Sequence, residues 1–124
     1  RHMAKILVID DERSIRNTLK DILEFEKHTV ALAENGKLGL EAAQNSMYDI
    51  IFSDIKMPEM DGYEAVRIIR EADNNIPIIA VTAFAFGEDE QRILESGFNS
   101  YLSKPIKKEV LHKTIQELLQ QKDL

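Results

Sequence analysis

A chain of 124 residues with 16 basic and 22 acidic side chains carries a net charge of −6, which opposes nonspecific attraction to nucleic acid or to an anionic membrane surface. Its 44% hydrophobic and 31% charged residues are those of one globular domain with its own core. The absence of cysteine excludes disulfides and thiolate metal sites and is compatible with a reducing cytoplasm, the expected location.

The opening RHM reads as an expression scar, with Met3 as an alternative native start, and no signal peptide is expected before the first strand. This leaves 4–121 as the domain and 122–124 as a tail. KILVI (5–9) reads as a buried strand, and the acids Asp10, Asp11 and Glu12 follow it. Ile15, Leu19, Ile22 and Leu23 then recur at helical spacing. TVALA (29–33) is a thin, alternating strand that suits a sheet edge. After a turn at Asn35-Gly36, Leu40, Ala43 and Met47 suggest a second helix.

The stretch DIIFS (49–53) is a third strand, and it ends on Asp54 before breaking into the loop MPEMDG. Ala65, Val66 and Ile69 mark a third helix, and DNNIP (73–77) the turn after it. A fourth strand, PIIAV (77–81), leads to Thr82. The run from Ile76 to Phe86 around it contains Pro77 and is too short to span a membrane. A fourth helix at about 87–97 rests on Ile93, Leu94 and a terminal Gly97. NSYLS (99–103) is the fifth strand, followed by Lys104, Pro105 and a last helix with Leu111, Ile115, Leu118 and Leu119 on one face.

This β-α alternation predicts a parallel sheet with helices on both faces. Ligands of such sheets bind outside the carboxyl ends of the strands. Those ends bring together Asp10, Asp11, Glu12, Asp54, Thr82 and Lys104. Taken singly, each acid is better explained as a helix cap or a solvated charge. Four strand ends with one chemistry reverse that judgement. Crowded carboxylates repel unless a cation offsets them. Mg²⁺ suits the place, because it takes hard oxygen ligands and is held by one or two carboxylates together with a phosphate. A carboxylate can attack phosphorus to give an aspartyl phosphate, and Asp54, alone on a central strand, is the best placed nucleophile. His28 and His112 lack partners at ligand or triad spacing and read as surface histidines, and the acids at 88–90 as a favourable first helical turn without a further role.

VIDDE (8–12), SDIKMPEMDG (53–62), VTA (81–83) and YLSKPI (101–106) resemble, in order and spacing, the receiver domain of two-component response regulators. The resemblance covers the chain from Lys5 to about Leu119. It implies a flavodoxin-like (βα)5 fold with strand order 2-1-3-4-5. It further implies that Asp54 accepts a phosphoryl group from a phosphohistidine, with Mg²⁺ held by Asp11, Asp54 and the Lys56 carbonyl and by Asp10 through water. Thr82 and Lys104 would contact the phosphoryl oxygens, Thr82 and Tyr101 would form the switch, and the Lys104-Pro105 bond would be cis. Partners would be a histidine kinase or phosphotransfer protein and a downstream output domain or protein. No direct nucleic-acid binding and no membrane insertion are expected, and the domain would be a monomer or a weak phosphorylation-dependent dimer. Catalysis would be limited to its own phosphorylation and dephosphorylation.

Partner docking is expected at Ile15, Pro105 and Ile106, an apolar rim beside the charged cleft. Lys56 and Phe84, two residues beyond Asp54 and Thr82, would flank the path of a hydrolytic water and give the phosphorylated form a long life. Two other functions fit the fold less well. A flavin-binding module would not place DDE where phosphate must sit. An Mg²⁺-dependent phosphatase would need a second acid near the nucleophile. A free-standing domain and a piece of a hybrid kinase or larger regulator would read alike.

Overall fold

The computed structural model describes residues 3–72, 75–83 and 87–122. Five strands alternate with five helices: β1 (Lys5–Ile9), α1 (Arg13–Phe25), β2 (Thr29–Ala33), α2 (Gly36–Asn45), β3 (Ile50–Asp54), α3 (Gly62–Glu71), β4 (Ile78–Thr82), α4 (Glu88–Glu95), β5 (Ser100–Ser103) and α5 (Lys108–Lys122). All neighbouring strands are parallel, in the order β2-β1-β3-β4-β5. This is the expected arrangement, with TVALA at one edge.

Strand side chains alternate between faces, so the continuous apolar strands feed two cores. Ile6, Val8, Ile50, Phe52, Ile79 and Val81 pack on one face with Leu19, Leu23, Leu111 and Ile115 of α1 and α5. Leu7, Ile9, Ile51, Ile78 and Ala80 pack on the other with Val66 and Ile69 of α3 and Ile93 of α4. Every residue of β3 and β4 is buried, whereas edge strands β2 and β5 are only partly so. Burial on both faces is what a central parallel strand requires. Asp54 and Thr82 are therefore polar residues drawn into the last turn of a core strand.

Local chemistry starts two of the helices. Asn35 Oδ1 accepts from Leu38 N at 2.8 Å to cap α2, and Asp61 Oδ1 accepts from Glu64 N at 2.9 Å to cap α3. Arg70 then ties α3 to the far end of the sheet. Its guanidinium donates to the carbonyls of Ile76 and Gly97 and to Asn99 Oδ1, which also accepts from Ile78 N.

Several expectations need correction. Met47 does not extend the second helix; α2 stops at Asn45, and Met47 is 89% exposed. The Ser46 N–H closes the last turn onto Ala42 O, and the chain then becomes extended. Leu94 faces solvent, and Ile93 alone anchors α4 in the core. The third and fourth strands lie one residue later than expected, which puts Asp54 and Thr82 inside them.

His28 is not a surface residue. It is buried, and its Nδ1 accepts the Ala4 N–H at 3.0 Å. A neutral ring accepting there carries its proton on Nε2, and burial holds its pKa below the ordinary histidine value. His112 is half exposed as expected, but it pairs with the Glu26 carboxylate across α1 and α5.

Candidate functional site

The carboxyl ends of β1, β3, β4 and β5 converge because the parallel register sets them side by side: Ile9 stands opposite Ser53, Asp54 opposite Val81, and Thr82 opposite Ser103. Asp10 follows β1, anchored by its own N–H on Ala33 O at 3.1 Å. The Arg16 guanidinium holds the Asp10 carbonyl at 2.7 Å. Lys104, after β5, donates its N–H to Thr82 O at 2.8 Å. The backbone thus positions an acid, an acid, a hydroxyl and an ammonium on four adjacent strands. The Lys104-Pro105 peptide is cis.

The carboxylate oxygens of Asp10, Asp11, Glu12 and Asp54 lie within 4.8 Å of one another. Asp10 and Asp54 are buried, and Asp11 and Glu12 face solvent. Asp10 Oδ1 accepts from Glu12 N at 2.9 Å, and Asp54 Oδ1 from Ile55 N at 2.8 Å. The Lys104 ammonium stands over the group, 3.3 Å from Asp10 Oδ2, 3.4 Å from Asp54 Oδ2 and 3.1 Å from Glu12 Oε1.

One cation does not offset this much buried negative charge. Burial and the Asp10 carboxylate push Asp54 from 3.8 to about 7. Asp10 is raised as well, chiefly by burial. Burial alone would lower Lys104, but its hydrogen bond to Glu12 and the charges of Asp54 and Asp10 carry it above the ordinary lysine value. Asp10 Oδ2 is buried and makes no hydrogen bond, although the ammonium lies beside it. Carboxylate oxygens clustered around an orphaned one are the kind of hard donors that suit a divalent cation.

The other expected residues are placed as follows. Thr82 is buried at the end of β4, and Lys56 is exposed in the loop after Asp54. Phe84 lies outside the described residues. Ile15 and Ile106 are partly buried against the same core cluster, and Pro105 beside them is exposed. Tyr101 is half-buried against the second core, and its hydroxyl donates to Glu90. The sequence marks Glu90 only as a helix-terminal acid, and nothing local pairs it with a strand eleven residues on. Glu12 is likewise an ion-pair partner of Lys104, 92 positions away.

The model of the response regulator receiver domain matches residues 6–116. An uncharacterized 14.6 kDa protein of Leptolyngbya boryana is 40% identical over 114 residues, covering 90% of this chain and 87% of that protein. The sensor histidine kinase RcsC of Salmonella typhimurium is 40% identical over 110 residues, covering 89% of this chain but only 12% of the kinase. Among solved structures, the receiver domain of a sensor histidine kinase from Pseudomonas aeruginosa, with a magnesium ion coordinated in its active site cleft, superposes with a TM-score of 0.86. It is 33% identical, and the match covers 94% of this chain and 98% of that one. With the 2-1-3-4-5 sheet and the acid-lysine edge on the same strands, the chain belongs to the response regulator receiver domains, the phosphoacceptor modules of two-component signal transduction.

Proposed function

We propose that Asp54 is the phosphoacceptor and that residues 4–121 form the receiver domain, working in the cytoplasm. The observation that carries this reading is the position of Asp54 Oδ2. It ends a buried central strand, 3.4 Å from the Lys104 ammonium and within the acidic cluster. The residues fit Mg²⁺, which Asp11, Asp54 and the Lys56 carbonyl would hold directly and Asp10 through water. When bound, the metal neutralises phosphoryl charge. The Asp54 carboxylate forms the bond to phosphorus as the bond to the donor breaks. Lys104 balances the phosphoryl oxygens as a point charge, and Thr82 donates its hydroxyl to one of them. Drawing Thr82 toward that oxygen frees space for Tyr101 to leave Glu90 and turn inward, which changes the surface of α4, β5 and α5.

Incubation with acetyl phosphate and Mg²⁺ should add one phosphoryl group, read by mass spectrometry and mapped to the peptide holding Asp54. Persistence of that group in Asp54→Asn would falsify the assignment.

The donor is a phosphohistidine on a kinase or phosphotransfer protein, and the output is a domain or protein that reads the α4, β5 and α5 surface. The domain catalyses only its own phosphorylation and dephosphorylation. Docking of the donor uses Ile15, Pro105 and Ile106. The last two line a cavity of about 450 Å³ beside Lys104, and the isoleucines are partly exposed over one core cluster. In Ile15→Ala and Ile106→Ala, transfer from a cognate phosphohistidine partner should fall about fivefold each, the effect of a partly buried apolar contact. Self-phosphorylation by acetyl phosphate should be unchanged. Equal losses with both donors would show that these residues serve the fold alone.

A further inference from the structure

Beside the acidic cluster, between α3 and α4, lies a cavity of about 190 Å³ that shares Thr82 with the phosphoacceptor site. Lys56, Asp61, Tyr63, Asp89 and Arg92 stand in its walls. Arg92 is held there by stacking, its guanidinium carbon 4.1 Å from the centroid of the Tyr63 ring. Phe98 braces that ring edge-on, with centroids 6.1 Å apart and planes at 78°. Among the described residues none accepts a hydrogen bond from the Arg92 guanidinium or forms an ion pair with it. A planar guanidinium laid on an aromatic face keeps its N–H edge free, and that edge matches a carboxylate.

The surroundings of Asp54 decide where a donor molecule can extend. Asp10, Asp11 and Glu12 crowd its carboxylate within 4.8 Å, and the Lys104 ammonium stands among them, 3.4 Å from its Oδ2. Ile55 and Lys56, which follow Asp54, and Thr82 on the neighbouring strand all line the cavity. We propose that this cavity receives the leaving group of small acyl phosphates and that Arg92 binds the departing carboxylate. The proposal rests on Asp54 as the phosphoacceptor. An Asp54 carboxylate oxygen bonds to phosphorus while the bond between phosphorus and the acyl oxygen breaks. That oxygen leaves with its electron pair as a carboxylate, and no proton is needed. Phosphoramidate differs at this point. Its nitrogen enters protonated and departs as neutral ammonia, which gives a guanidinium nothing to hold.

Asp61 and Asp89 keep the cavity from being a general anion trap. Asp61 is engaged through Oδ1 with Glu64 N, and Asp89 lies in the first turn of α4. Two acids against Lys56 and Arg92 leave no net charge, so selection depends on the directed fork of Arg92.

The test compares initial rates of phosphorylation by acetyl phosphate and by phosphoramidate in Mg²⁺, together with the affinity for beryllofluoride, a phosphoryl mimic without a leaving group. In Arg92→Gln the acetyl phosphate rate should fall about fivefold, the scale of a partly exposed ion pair. The phosphoramidate rate and the beryllofluoride affinity should stay unchanged. Arg92→Lys should recover part of the loss, because it keeps the charge but not the fork, and Tyr63→Leu should show the same donor bias as Arg92→Gln. An unchanged acetyl phosphate rate in Arg92→Gln, or equal losses with both donors, would overturn the proposal. If the parent protein takes no phosphoryl group from either donor, the Asp54 assignment fails, and this proposal fails with it.

Discussion

Gly62→Ala should destabilise the domain by about 3 kcal/mol, the upper range for overpacking, and lower its melting temperature on the order of 10 °C. A Cβ at this position would lie 2.4 Å from the Asp54 carbonyl oxygen and 2.9 Å from Ile55 Cα. Both obstacles are backbone, so no rotamer change relieves the clash. The same glycine donates its N–H to Ile55 O at 2.7 Å, closing the β3-α3 loop onto the strand that ends in Asp54. Relief must therefore move either α3 or Asp54 itself. Phosphorylation by acetyl phosphate in Mg²⁺ should fall even under conditions where the variant is fully folded. A melting temperature within a degree or two of the parent would show that the close approach carries no energy.

The second large effect concerns pH and metal together. In chelator, Asp54 titrates near 7 and Asp10 above its ordinary value, so the folded state holds protons that the unfolded chain releases near 3.8. The sign follows from linkage. The stability Asp54 contributes in this way is complete below about 3.8 and is lost as pH rises through about 7, and Asp10 acts in the same direction. His28 acts in the opposite direction. Its pKa is depressed by burial, with Glu26 opposing and His112 adding to the shift, so its contribution is lost as pH falls below the ordinary histidine range. Comparing the parent with Asp54→Asn cancels the His28 contribution. Between pH 4.5 and 7.5 without metal, the parent should lose about 2 kcal/mol relative to Asp54→Asn, a figure discounted for partial solvent access. At pH 7.5, Mg²⁺ at ten times its dissociation constant should add about 1.4 kcal/mol, raising the melting temperature by about 5 °C. Asp11→Ala should abolish most of that rise. A parent curve parallel to that of Asp54→Asn would mean the buried acids carry no strain, and an equal rise in Asp11→Ala would remove the metal from this cluster.

Much of the site was legible because it is written at strand ends. A run such as IIF announces burial on both faces, and the polar residue that ends it must lie at the sheet edge. That logic points to Asp10, Asp54, Thr82 and Lys104, and the structure brings them to adjacent strands. The boundaries of β3 and β4 were misplaced by one residue because Asp54 and Thr82 continue the ladder as polar residues. Hydrophobic pattern alone gives no sign of that.

Residues whose role the local pattern hides depend on partners remote in the chain. His28 is buried because the Ala4 N–H needs an acceptor at the start of β1, a demand that appears only when β1 and β2 are paired. Glu90 with Tyr101, Glu26 with His112, and Arg92 with Tyr63 are each set by how one helix lies against its neighbour. By itself the sequence determined the order of the elements, the two-sided core and the acid-lysine edge, since periodicity and strand-end position act within a few residues. Which side chains meet across elements, where the unbalanced charge lies, and that Arg92 lines a cavity beside Asp54 emerge when the helices pack on the sheet. Those outcomes depend on the packing of α3, α4 and α5 against the sheet, and that packing is a property of the whole core.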